Sequence, residues 1–131
     1  MLALSPALFF PLCTNYSRFM SFSTQSVSDN TLVIHIGETL DFRNADAFKE
    51  TVHAPVDAGK HQFILDFSDT DVLDSSGLGA IFSLYRRVAA HDGTVVFANT
   101  SEPVRVVVEL TRTYKVFPQY DSVESAQAEL T

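Results

Sequence analysis

Three apolar runs of strand length, separated by segments of helical periodicity, constrain what this chain can fold into more than any other feature. Leu32-Val33-Ile34 with Ile36, Phe63-Ile64-Leu65 with Phe67, and Val95-Val96-Phe97-Ala98 are continuous rather than alternating, as strands covered on both faces are. Between them, Ala45, Phe48 and Val52 recur at helical spacing behind Asn44, a candidate N-cap, and Pro55 and Gly59 close that segment. Leu78, Ile81, Phe82, Tyr85, Val88 and Ala89 form the clearest helical stripe, ended by Gly93. Ser101 caps a third helix with Pro103 in its first turn and Val104, Val107, Val108 and Thr111 on one face.

Phe19 to Val27 reads as an edge strand followed by an Asp29-Asn30 turn. Val116-Phe117 reads as a short last strand, and Ser122 opens a terminal helix through Leu130 with Val123, Ala126 and Leu130 on one side. Alternating strands and helices predict an α/β fold: a mostly parallel or mixed sheet with right-handed crossovers, its strand order left open. Phe63, Leu65, Leu78, Ile81, Phe82, Val96 and Phe97 are the predicted central core.

The 131 residues suit one domain, large enough to need no disulfide or metal staple. A formal net charge of -7 argues against nucleic acid and against an anionic membrane surface. It suits a basic protein partner, and equally simple solubility. Cys13 stands alone, and His35, His53, His61 and His91 lie far apart, so neither a disulfide nor a metal cluster is expected, which fits a reducing cytoplasm. Leu2 to Cys13 is apolar, but Pro6 and Pro11 interrupt it, it is shorter than the roughly 20 residues of a membrane span, and no positive charge precedes Arg18. Residues 1–19 are therefore expected to be an extension, with Met20 a natural start and the domain covering 20–131.

The chemistry concentrates in Ile64 to Ala80, ILDFSDTDVLDSSGLGA. A buried strand runs into a turn, and the turn runs into the clearest helix. Ser75 or Ser76 is placed to cap that helix, whose N-terminus also favours an anion, so a phosphate on a hydroxyl there is stabilised. Gly77 and Gly79 cost about 1 kcal/mol each against Ala so early in a helix, and they leave room for another protein's backbone to approach. The plain alternative is a serine that only caps. Asp66, Asp69, Asp71 and Asp74 form a carboxylate run that reads more readily as solvated turn acids than as a metal site. No phosphate-binding Gly-Lys loop and no nucleophile with a base and an orienter is readable, so no catalytic residue, cofactor or metal is expected.

The string Val72 to Val88, VLDSSGLGAIFSLYRRV, resembles the signature of STAS domains, the anti-sigma factor antagonists of bacteria. Gly37-Glu38-Thr39-Leu40-Asp41 resembles the family's G-E-L-D loop with one residue more. Phe63 to Phe67, Asp92 to Val96, Val108 to Thr111 and Lys115 to Pro118 resemble its remaining elements, so the likeness covers about residues 20 to 130. It implies a mixed sheet of four or five strands with about four helices mainly on one face. It implies phosphorylation at Ser75, with Asp41, Asp74, Ser76, Gly77, Leu78 and Gly79 in the partner-binding surface.

The implied partners are an anti-sigma factor that is also a serine kinase of the GHKL type, a serine phosphatase, and weakly a second copy of the chain. The catalytic apparatus lies in the kinase, so the chain itself is not an enzyme. Two other functions remain open within the family, a STAS accessory subunit of a membrane transporter and a scaffold of a stress-signalling assembly. Where the family has Gly-Leu after the third helix, this chain has Arg112-Thr113. Arg enters the left-handed conformation at about 1 kcal/mol or more, which predicts a different helix end.

Overall fold

The computed structural model describes residues 22–130. The extension 1–19 and the suggested start at Met20 lie outside them. The elements, numbered here in chain order, are β1 (Ser23–Ser26), β2 (Thr31–His35), β3 (Thr39–Leu40), α1 (Ala45–Asp57), β4 (Gln62–Asp66), β5 (Val72–Leu73), α2 (Ser75–Ala89), β6 (Thr94–Ala98), α3 (Glu102–Thr111), β7 (Gln119–Tyr120) and α4 (Val123–Leu130), with one 3-10 turn at Thr113–Lys115. The main sheet runs β1-β2-β4-β6-β7. β1 is antiparallel to β2, and every other pair in it is parallel.

The three apolar runs are the three middle strands, and their residues divide by period 2 between two cores. Leu32 and Ile34, Phe63 and Leu65, Val95 and Phe97 face α1, α2 and α3, together with Phe48, Leu84 and Val104. Val33, Ile64, Val96 and Ala98 face the other way, where Ala126 of α4 is fully buried and Val123 and Leu130 pack beside it. Val96, expected in the central core, therefore belongs to the second, smaller one.

Four further expectations need correction. The α2 stripe is rotated: Leu84 is buried and Phe82 is only half-buried, because Phe82 and Tyr85 form the helix flank that Phe117 covers, with ring centroids 5.0 and 5.7 Å away. Phe117 is not in a strand; it plugs the core after the 3-10 turn, stacked at 4.9 Å on Phe97, and the edge strand forms at Gln119–Tyr120 instead. Pro55 does not stop α1, which continues to Asp57; a proline this close to the C-terminus removes only one late backbone bond. Arg112 does take the left-handed conformation, at φ 59° and ψ 28°. The helix end thus keeps the backbone a glycine suits, with an arginine in it.

Beside the main sheet, β3 and β5 form a parallel two-stranded pair, Thr39 opposite Val72 and Leu40 opposite Leu73. This pairing brings the loop before α1 against the turn before α2 and builds the site.

Candidate functional site

The turn that delivers α2 is pinned from two sides. The Thr70 hydroxyl donates to the Gly37 carbonyl at 2.6 Å, and the Ser101 hydroxyl donates to the Thr70 carbonyl. Asp71 N–H donates to Glu38 O at 2.8 Å and Asp74 N–H to Leu40 O at 3.3 Å. After Asp74 the chain turns into a 15-residue helix, longer than the stripe alone requires, whose first residue is Ser75.

The cap of that helix is Asp74, not Ser75 or Ser76. Its carboxylate oxygen Oδ1 accepts from Gly77 N–H at 2.9 Å, satisfying one of the amides that a helix start leaves unpaired. Its other oxygen, Oδ2, accepts from Phe42 N–H at 3.1 Å, across to the loop before α1. An aspartate in the extended conformation just before the helix reaches the third helical amide, and Ser75 is left with its hydroxyl free to face outward. Ser75, Ser76 and Gly79 are exposed, and Asp74 is half-buried.

The two glycines have different reasons. A Cβ on Gly77 stands 2.4 Å from the Leu40 carbonyl oxygen and 3.0 Å from Leu73 Cδ1. The close approach of α2 to β3, inside the molecule, is by itself enough to require a glycine at position 77. A Cβ on Gly79 meets nothing within 4 Å, so Gly79 leaves a flat spot on the exposed face. Leu78 is buried in the main core.

Asp41 is also buried. Its carboxylate accepts from the backbone N–H of Arg43 at 2.9 Å and from Arg43 Nη2 at 2.7 Å. The hydrogen bond from the Arg43 guanidinium lowers the Asp41 pKa below the usual carboxylate range against the opposing effect of burial. Asn44 stands at the N-cap position of α1 as expected, but its side chain braces the loop rather than the helix: Oδ1 accepts from Asp41 N–H at 2.9 Å and Nδ2 donates to Thr39 O at 2.8 Å. The Asp41 carbonyl receives the N–H groups of Asn44 and Ala45. Asp41, Gly77 and Leu78 are thus buried, while Ser75, Ser76 and Gly79 lie exposed at the start of α2.

The carboxylate run does not converge. Asp69 and Asp71 are exposed, Asp74 caps α2, and Asp66 turns inward at the end of β4. Asp66 accepts from Asn99 Nδ2 at 3.1 Å and Ser68 N–H at 3.1 Å, and its other oxygen lies 2.7 Å from His35 Nδ1. Burial opposes its charge, yet the bonds from Asn99, His35 and Ser68 together lower its pKa. Among the described residues no group of three His, Cys, Asp or Glu side chains is placed to hold a metal ion, and no helix is long and apolar enough to cross a membrane.

The serine pair, the acid before it and the two glycines were legible from the sequence. The Phe42–Asp74 bond and the His35–Asp66–Asn99 cluster were not: their members stand 31 to 33 positions apart, with no local spacing to announce them.

The STAS domain family model matches residues 24–126. BtrV of Bordetella bronchiseptica, named as a candidate anti-sigma factor antagonist, is 26% identical over 105 residues, covering 80% of this chain and 90% of BtrV. The anti-sigma F factor antagonist of Paenibacillus polymyxa is 23% identical over 100 residues, 76% of this chain and 86% of that protein. Among solved structures, a candidate anti-sigma factor antagonist from Thermotoga maritima superposes with a TM-score of 0.77 at 26% identity, covering 82% of this chain and 92% of that one. SpoIIAA shares the fold in its unphosphorylated form, with a TM-score of 0.75 at 22% identity over 84% of this chain and 96% of SpoIIAA. The murine Solute Carrier 26 family member A9 anion transporter shares it more weakly, with a TM-score of 0.65 at 18% identity over 79% of this chain and 18% of the transporter.

Proposed function

The chain belongs to the STAS domain family, and we propose that it works there as an anti-sigma factor antagonist, a cytoplasmic protein-binding module gated by phosphorylation of Ser75. The observation that carries this reading is the exposed Ser75 hydroxyl at the first position of α2, beside an N-terminus already organised by the Asp74 cap. The names borne by BtrV and the Paenibacillus polymyxa protein support the same reading.

Unphosphorylated, the chain binds an anti-sigma factor that is also a serine kinase of the GHKL type, and that kinase's other client is freed. Ser75 Oγ then attacks the γ-phosphorus of ATP held by the kinase, ADP leaves, and the hydroxyl proton passes to a base of the kinase. The phosphorylated chain lets go until a serine phosphatase resets it. Ser76, Gly79 and the exposed edge of Asp74 form the contact; Asp41, Gly77 and Leu78 hold it in shape.

The phosphate adds roughly -1.5 to -2 charges. The helix N-terminus favours it by about 0.3 to 1 kcal/mol, a gain set against the neighbouring Asp74 carboxylate, so the fold is little affected. A closely fitted partner must instead bury an unpaired dianion, which is heavily penalised, and a loss of about 3 kcal/mol lowers affinity by two decades.

Incubation with the co-purifying kinase and ATP, followed by peptide mapping, tests the reading. Ser75→Ala should bind and resist release, Ser75→Asp should fold normally and bind poorly, and Ser76→Ala should still accept phosphate. Phosphate on Ser76 alone, or undiminished kinase binding by the Ser75-phosphorylated chain, overturns it.

A further inference from the structure

Phe42 is 74% exposed, the most exposed aromatic side chain among the described residues, in a loop that is otherwise tightly bonded. The Arg43 guanidinium lies 6.0 Å from its ring centroid and is itself held by the buried Asp41 at 2.7 Å. The ring is thus presented by a braced loop and not by a loose one, and a preorganised aromatic loses little freedom on binding. The Phe42 backbone is tied to the residue before the phosphate acceptor: its N–H donates to Asp74 Oδ2 at 3.1 Å. The bond sets the Phe42 backbone against the residue that immediately precedes Ser75. Val72, on the β5 strand that pairs with this region, is a second exposed apolar side chain, at 43%.

We propose that Phe42 is an apolar anchor for the kinase that phosphorylates Ser75, and that the Asp74 carboxylate is a positioning group that holds the anchor in register with the acceptor and loosens its hold once Ser75 carries phosphate. The kinase therefore presents an apolar socket beside its ATP site. The anchor rests on the reading of Ser75 as the acceptor; the tether is a property of this chain alone.

The argument for the tether is electrostatic. Asp74 Oδ1 occupies Gly77 N–H and Oδ2 occupies Phe42 N–H. A dianion on the adjacent side chain repels that carboxylate and competes for the amides of the same helix start. The bond to Gly77 lies within one turn and is easily re-formed by either anion. The bond to Phe42 joins two loops 32 positions apart in the chain and holds only while the carboxylate stays in place. Phosphorylation thus weakens binding twice, by charge at Ser75 and by releasing the anchor.

Two measurements on the full chain test this. In the first, amide exchange at Phe42 is followed by NMR in the unmodified chain, in Asp74→Ala, and in the chain carrying co-translationally incorporated phosphoserine at position 75. Exchange at Phe42 should accelerate about tenfold or more in the last two, with the Phe63 and Phe97 amides of the central strands unchanged. A Phe42 amide equally protected in all three overturns the tether. In the second, the kinase shown by peptide mapping to phosphorylate Ser75 is titrated with Phe42→Ser. An exposed side chain leaves Tm within a degree or two, while affinity and kcat/KM for Ser75 phosphorylation should fall at least about tenfold, as for an interface hot spot. A kinase that binds and phosphorylates Phe42→Ser as well as the unaltered chain overturns the anchor and leaves the Ser75 reading standing. Failure of any kinase to modify Ser75 in the unaltered chain removes both the anchor and the proposed function, while the NMR result still decides the tether.

Discussion

At the scale of single residues, two buried carboxylates, Asp41 and Asp66, contribute stability that depends on pH. Asp41 and Asp66 both have pKa values lowered in the folded state from an ordinary value of 3.8. A lowered folded value means that the native state holds the charged form more strongly than the unfolded chain does. The stabilisation from both groups is therefore complete above about pH 4 and drains away as pH falls through the lower folded values. Urea midpoints measured from pH 7 down to pH 3 should drop in that window, and Asp66→Asn should start lower at pH 7 and decline less steeply. A second residue-scale prediction separates two neighbours on α2. Leu84 is 1% exposed and Phe82 is half-buried, so Leu84→Ala should cost about 2 to 5 kcal/mol and Phe82→Ala less than its larger size suggests. Chemical denaturation of the two variants reads the order directly, and a reversed order means the helix face is misassigned.

At the scale of elements, the packing of α2 on β3 decides which glycine matters for folding. Gly77→Ala places a methyl 2.4 Å from the Leu40 carbonyl oxygen, a backbone atom that cannot swing away, and such overpacking costs about 1 to 3 kcal/mol. Gly79→Ala meets open space and should stabilise the helix by about 0.5 to 1 kcal/mol. Thermal melts of the pair should therefore move in opposite directions, although the residues sit two positions apart in one motif. If the proposed function holds, Gly79→Ala nonetheless weakens kinase binding, since its methyl projects from the exposed face. The same scale explains two misread boundaries. Pro55 and Arg112 are poor choices by local preference, yet α1 runs past the first and α3 closes through the second in the left-handed conformation. Burial of Val52 and Val56 in α1 and of Val104 and Val108 in α3 outweighs a local penalty of up to about 3 kcal/mol for the proline and about 1 kcal/mol or more for the arginine.

At the scale of the whole molecule, the sheet has two covered faces of very unequal thickness. Among the described residues, α1, α2 and α3 cover one, and α4, with Val27 and Tyr120 at its margin, covers Val33, Ile64 and Val96 on the other. Ending the chain at Ser122 should expose that face; the expected result is a lower urea midpoint and binding of a hydrophobic dye, while an unchanged midpoint would show that α4 contributes nothing. The sequence by itself determined the three central strands and the helices between them, because their signals are periodic and local, and it determined the serine motif, because Asp74 to Gly79 are consecutive; the two-residue strands at Thr39–Leu40, Val72–Leu73 and Gln119–Tyr120 are too short to carry a period. It also carried the family resemblance that the match over residues 24–126 bears out. Only the tertiary structure decided the strand order and the division of Val96 and Phe97 between opposite cores. It alone brought Phe42 to Asp74 and His35 to Asp66, 32 and 31 positions apart. Those outcomes depend on which strands pair and how closely α2 approaches β3, and contacts between distant segments leave no period in the chain that makes them.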